Sequence, residues 1–405
     1  MGRLGCVGSY KKGSRIRVHE RYRFCAAVLQ CCSAALLLAA GSAMAEPELL
    51  QGTVGQAKVL VELDLAKPDE VTGRYFYQKY HTDIALDGAL DKQRTLRLSE
   101  NRPFFSTKSV PMQWTLKQGA NGRWTGRWAS KGKTLDISLS PVALPPARPD
   151  DLPALDELRR TSPYEYLRLK GLSLKKDRQD TFMGYGLQWW VEPVSRIRLF
   201  QLVSSPTAMD LSAANRTLQN RQWQEVNSYF GCLSGARDRE TEFDQTVKPV
   251  FINDSVLSVS LFTSYDCGGA HPDFGDAPLN MELATGKILE LEDVFWLGKG
   301  PSIHYERGMD NLEAYSNYRE QLFAPWVVDQ FKRLYPELMN DDPNECNYQD
   351  PSVWQFSVWY FEPRGIYLGP TFARAARSCD EPGDTVIPYK TIKAHPGPVK
   401  VTLPE

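Results

Sequence analysis

Histidine is scarce. The 405 residues hold five, and no two of them fall in the H-E-x-x-H spacing of a helical zinc protease. The chain has no G-x-x-x-x-G-K-[ST] loop for a nucleoside triphosphate and no G-x-G-x-x-G turn for a dinucleotide. Gly231-Cys232-Leu233-Ser234-Gly235 sets its serine one place late for a nucleophile elbow. No C-x₂₋₄-C knuckle is present, which removes the usual zinc-finger arrangement. Neither sign of charge dominates: 48 Lys and Arg stand against 49 Asp and Glu. That balance gives no basic surface for nucleic acid. No catalytic residue, no metal and no cofactor follows from these residues.

What is present begins with a leader. Arg3, Lys11, Lys12, Arg15, Arg17, Arg21 and Arg23 face one acid, Glu20, ahead of an apolar run over residues 24–40. Ala43-Met44-Ala45 then precedes Glu46-Pro47, giving the three-part plan of a secretory signal over residues 1–45. Small residues at both sides of Met44 suit a signal peptidase better than a retained anchor, so a membrane role is expected only through an uncleaved signal. Without the leader the net charge becomes −7. The expected location is the periplasm or the exterior.

Four of the eight cysteines leave with the leader. Cys232, Cys267, Cys346 and Cys379 remain, an even number in an exported chain, which reads as two disulfides. Three pairings satisfy that count.

Residues 46–145 read as an all-β domain, a small antiparallel barrel or sandwich. Alternation is clear over residues 58–65 and 96–100. Thr72-Gly73-Arg74-Tyr75 returns as Thr125-Gly126-Arg127-Trp128, and Asp83-Ile84-Ala85-Leu86 as Asp136-Ile137-Ser138-Leu139, both after 53 residues. Each copy reads as a hairpin. The aromatic residues Tyr75, Phe76, Tyr77, Trp114, Trp124 and Trp128 suit core and cross-strand pairs, with a ligand-carrying groove as the rival use. Pro141, Pro145, Pro146, Pro149 and Pro153 mark a linker near residues 141–155.

Residues 156–245 read as a small α+β domain, with strands near 184–191 and 197–200. A helix over 212–230 is expected to stop at Gly231, just before Cys232. Residues 246–405 form a third, α+β region. It opens with an alternating strand over 256–263, followed by the loop Tyr265-Asp266-Cys267-Gly268-Gly269-Ala270-His271-Pro272. Strands over 279–283 and 288–291 flank an Ala284-Thr285-Gly286-Lys287 turn, ahead of Glu292-Asp293-Val294-Phe295. A helix over 318–335 places Leu322, Trp326, Val327, Phe331 and Leu334 on one face. A strand over 353–361 turns at Pro363-Arg364-Gly365, a short helix spans 371–377, and Val386-Ile387-Pro388-Tyr389 closes the pattern. The fold class expected is α+β: a β domain, then a region of mixed sheets with two main amphipathic helices.

The succession of strand, GGAHP loop, strand, TGK turn, EDVF and IPY resembles a C-terminal domain of bacterial envelope proteins. That domain occurs in PdaC-type peptidoglycan deacetylases, outside their catalytic part, and in RsiV-type lysozyme-sensing anti-sigma factors. The resemblance covers roughly 150 residues and implies a non-catalytic domain. The deacetylase domain with its metal ligands has no counterpart here, and residues 1–23 are short and basic for binding a sigma factor.

The candidate binding residues are Asp266, His271 and Asp273, with Asp276 close by. In the simplest reading Gly268-Gly269 make a tight turn with positive φ and His271 bonds the backbone. The expected function is recognition of a cell-wall component or a protein ligand, with lysozyme or peptidoglycan as partners. Lysozyme is strongly cationic and a chain of net −7 favours its encounter. The alternative is a periplasmic hydrolase acting on a wall-derived substrate through His271 and the nearby aspartates.

Overall fold

Strand alternation in the first hundred residues after the leader resolves into a closed barrel. The computed structural model describes residues 46–100, 112–235, 241–305, 311–340 and 346–405; the leader expected over 1–45 lies outside them. The barrel strands are β1 (Glu48–Val54), β2 (Ala57–Asp64), β3 (Val71–Tyr77), β4 (Asp83–Leu90), β5 (Thr95–Glu100), β6 (Gln113–Gln118), β7 (Trp124–Ser130) and β8 (Lys133–Pro141). Each pairs antiparallel with the next, and β1 with β8 closes the ring, so no edge is left to pair with another chain. Lys131 and Gly132, both at positive φ, make the two-residue β7–β8 turn that matches strand twist.

Inward positions of the barrel are filled. Val59, Leu63, Leu86, Leu96, Trp114, Trp124 and Leu139 are fully buried, so the interior is a packed core and not a ligand chamber. A β-carbon at Gly126 would lie 1.9 Å from the Thr115 carbonyl oxygen, so only glycine lets β6 and β7 approach this closely.

Glu100 is the polar exception inside. It is 7 % exposed, and its Oε1 accepts hydrogen bonds from Tyr75 Oη (2.8 Å), Trp114 Nε1 (3.1 Å) and Trp128 Nε1 (2.7 Å). Tyr75 and Trp128 are equivalent members of the 53-residue echo, so the two hairpins converge on one carboxylate. Their pairing differs: Tyr75 faces Ile84, whereas Trp128 faces Leu135 and not Ile137. The two-residue turn of the second hairpin, against the longer connection over 78–82, shifts its register.

Two helices, α1 (Pro153–Thr161) and α2 (Pro163–Lys170), follow the linker, and each starts on the proline that suits a first helical turn. Phe76 and Leu60 on the barrel exterior pack against Tyr164. Arg168, fully buried, donates to the His81 carbonyl (3.0 Å) and Asp83 Oδ1 (2.6 Å) and lies over Phe76 and Phe230. Arg74 reaches Glu62 and Glu165 from the other side. This ion network joins the barrel to the helices.

Among the described residues the remaining chain holds three sheets, and every pairing in them is antiparallel, so the expectation of mixed sheets is corrected. The first contains β9 (Lys175–Phe182), β10 (Tyr185–Val191) and β11 (Arg198–Ser204), and α3 (Ser212–Gly235) packs on β11. Then come β12 (Glu242–Ile252), β13 (Val256–Asp266), β14 (Asp273–Asp276) and β15 (Leu279–Glu282) around β13. Leu187, Phe200, Leu218, Leu257, Val259 and Met281 belong to one apolar cluster, so the sheets on either side of residue 245 share a core.

Several local expectations are corrected. Helix α3 runs through Gly231 and Cys232 to Gly235, since Gly231 is exposed and turns nothing. The strand expected over 288–291 is reduced to one bridge from Ile288 to Met281, and the chain turns at Leu291 into a short helix, α4 (Leu291–Val294), that carries most of the EDVF motif. The long helix begins earlier, as α5 (Leu312–Tyr318), and passes through a π-helical segment Arg319–Phe323 into α6 (Ala324–Leu334). The π turn rotates the face, so Phe323 is buried while Leu322 and Leu334 are exposed. Residues 351–354 form a 3₁₀ turn, leaving β16 (Val358–Glu362), β17 (Gly365–Gly369) and β18 (Val386–Pro388) as the last sheet. The helix expected over 371–377 is a 3₁₀ turn, Arg374–Cys379. The short α7 (Tyr389–Lys393) follows.

Candidate functional site

The cysteines pair as Cys232–Cys267 and Cys346–Cys379. The first bond fastens the end of α3 to the start of the GGAHP loop, and the second fastens the 3₁₀ turn at Arg374–Cys379. Between these two anchored segments lies a shallow cleft of about 290 Å³. Its position follows from strand periodicity. Phe262 pairs with Asp276 and Ser264 with Phe274 across β13 and β14, so all four share the face opposite the buried Leu257, Val259 and Leu261.

Phe262 and Phe274 form the floor, with ring centroids 5.9 Å apart, and Ser264, Arg377, Ser378 and Glu381 complete the lining. Arg377 lies over the Phe274 ring at 4.9 Å. Its charge is spent locally: Nη1 donates to Asp273 Oδ1 at 2.6 Å and Nε to Asp380 Oδ2 at 2.9 Å. Arg374 adds a contact to Asp273 and a hydrogen bond to the Pro272 carbonyl. Asp276 accepts from Ser260 Oγ and the Leu261 amide, and burial raises its carboxyl above the usual range. Glu381 is exposed and has no ion-pair partner among the described residues. Beside them Tyr360 and Tyr367 stack with centroids 4.5 Å apart. Burial, with Glu381 and Asp276 adding to it, pushes the Tyr367 phenol up to about 12. The cleft is thus an aromatic floor with acid in surplus.

The residues named from sequence are not gathered into one centre. Asp266 Oδ1 accepts from the Gly268 amide at 3.0 Å, and Gly268 takes the positive φ expected of the turn. Asp273 is committed to Arg377. His271 is exposed and makes no hydrogen bond or ion pair with a described residue, so the backbone bond expected of it is corrected. Among the described residues no group of His, Cys, Asp and Glu is arranged to hold a metal, and no helix is long and apolar enough to cross a membrane. Phe262, Phe274 and Arg377 were not among the binding residues expected from sequence; strand alternation assigns the two rings a shared face, but nothing local links them to residue 377.

A second polar cluster, also missed, surrounds α4. Glu292 is 1 % exposed and lies 2.7 Å from Arg319 of the π segment. Next to it are Glu290, Asp293, Lys287 and the buried His304. Glu292 and Asp293 carry the EDVF motif, while His304 arrives from a loop with no sequence signature. No protein-family model matches the chain, and no curated protein matches it.

Proposed function

We propose that this is an exported recognition protein whose cleft between the two disulfides binds a cationic group on an envelope partner. The observation that carries the reading is the aromatic floor of Phe262 and Phe274 beside the exposed Glu381, which has no ion-pair partner among the described residues, with Asp276 nearby. A lysine or arginine side chain laid on such a floor gains cation–π attraction and a carboxylate together. Two disulfides and a leader-like N-terminus support export. Pinning both loops lowers the ordering cost of binding.

The partner class favoured is a basic protein of the lysozyme kind. Peptidoglycan, whose stem peptides carry free amines, is the second partner that the same chemistry admits. The hydrolase reading through His271 gains no support, because that imidazole makes no hydrogen bond or ion pair with Asp266 or Asp273. The test is a pull-down of the purified, disulfide-bonded protein against lysozyme and isolated sacculi at two salt concentrations. Salt-sensitive capture of either is expected; capture of neither at micromolar protein contradicts the reading.

A further inference from the structure

The loop after α4 sets a serine, a histidine and a glutamate in series. Ser302 Oγ lies 2.9 Å from His304 Nε2. The other ring nitrogen, Nδ1, lies 3.2 Å from Glu290 Oε2. The carboxylate is fixed on that side, because Oε2 also accepts the Tyr305 amide at 3.1 Å. The Glu290 amide in turn donates to Asp293 Oδ2 at 3.0 Å. His304 is 5 % exposed, yet Nδ1 has no aligned hydrogen bond. A histidine kept only for packing would satisfy that buried nitrogen; a catalytic one commonly tightens its bonds when substrate arrives. Ser302 is half-buried, so part of the serine is open to solvent. Lys287 and His304 Nε2 both approach Asp293 Oδ1, at 2.9 and 3.8 Å, which brings a cation to the same corner.

We propose that Ser302, His304 and Glu290 form an acyl-transfer site, separate from the cleft, that hydrolyses esters of short acyl groups. Ser302 is the nucleophile, His304 the base, and Glu290 the positioning residue that holds the ring. Ser302 Oγ adds to the ester carbonyl carbon and its proton passes to His304 Nε2. The imidazolium returns that proton to the leaving alkoxide as the C–O bond breaks, which frees an alcohol and leaves the acyl group on Ser302. Water then gives a proton to His304 and adds to the acyl carbon. The Ser302 Oγ–C bond breaks, Oγ recovers the proton, and a carboxylic acid departs. One water is consumed and nothing is oxidised or reduced. Ser302 is half-buried and so partly open to solvent, which suits a short acyl group that needs no enclosing pocket.

The experiment treats the full, disulfide-bonded protein with a fluorophosphonate probe and maps the label by mass spectrometry, alongside p-nitrophenyl acetate hydrolysis. The expected result is label on Ser302, with label abolished and hydrolysis at least about 100-fold slower in Ser302→Ala. Glu290→Gln should lower kcat while leaving KM within about twofold, and Glu290→Asp should restore part of kcat. Failure of the folded wild type to label, label mapped elsewhere, or label persisting in Ser302→Ala overturns the site. Mapping on the wild type decides the matter even if a variant does not fold.

Discussion

Arg377 donates to Asp273 at 2.6 Å across 104 residues of sequence, and so ties the loop after Cys267 to the turn that ends at Cys379. The pair borders the cleft, which Arg377 lines. Both side chains remain about a quarter exposed, so the bond positions more than it stabilises. Arg377→Gln should therefore change unfolding free energy by no more than about 1 kcal/mol, measured by urea titration. A loss several times larger would mark the pair as structural cement.

The disulfides carry more. Each closes a loop of similar length, with separations of 35 and 33 residues, for which chain entropy gives about 3–4 kcal/mol. Replacing Cys232 and Cys267 together by serine should cost that amount in urea unfolding and weaken capture of a cationic partner. Replacing Cys346 and Cys379 should do the same. Unaltered stability in either double variant would show that other contacts hold the loops.

Glu292 gives a pH dependence. Burial, opposed by Arg319 and reinforced by Glu290, pushes its carboxyl up to about 7. An acid raised in the folded state favours folding while protonated, so its contribution is full below about pH 4.5 and is lost as pH rises through 7. Relative to Glu292→Gln, the wild type should lose on the order of 3 kcal/mol between those limits. Parallel pH–stability curves for the two proteins would contradict the assignment.

Inside the barrel, Glu100 satisfies Tyr75, Trp114 and Trp128 at once. Glu100→Ala strands two buried donors and one half-buried donor and should cost about 3–5 kcal/mol, whereas Glu100→Gln keeps an acceptor oxygen and should cost under about 2 kcal/mol. Thermal unfolding followed by near-ultraviolet circular dichroism, which reports the two tryptophans, distinguishes these outcomes.

Much of the framework was legible because it is written in local period. Alternation over residues 58–65 and 256–263 marked β2 and β13, and the 53-residue echo marked two hairpins of the barrel. Register was not legible, since it depends on turn length: Trp128 meets Leu135 only because Lys131-Gly132 closes the hairpin in two residues. The π turn at Arg319–Phe323 adds a rotation that a 3.6-residue count cannot anticipate, which is why Leu322 was placed on the wrong face. The cysteine pairing, the approach of Arg377 to Phe274 and that of His304 to Glu290 are products of tertiary folding. His271 drew notice because histidine is rare and its loop distinctive, yet the loop uses Asp266 and Gly268 for its turn and leaves the imidazole in solvent.

The most direct test is calorimetric titration of lysozyme into the wild type, Phe274→Ala and Glu381→Lys at low and physiological salt. Both side chains lie on the cleft surface, so folding should be retained, as melting temperature will report. The account predicts micromolar or tighter binding by the wild type, weakened by salt, and at least about tenfold weaker binding by each variant, a loss of about 1.4 kcal/mol. Wild-type affinity retained in both variants, or no heat from the wild type with either lysozyme or muropeptide amines, would contradict recognition at this cleft.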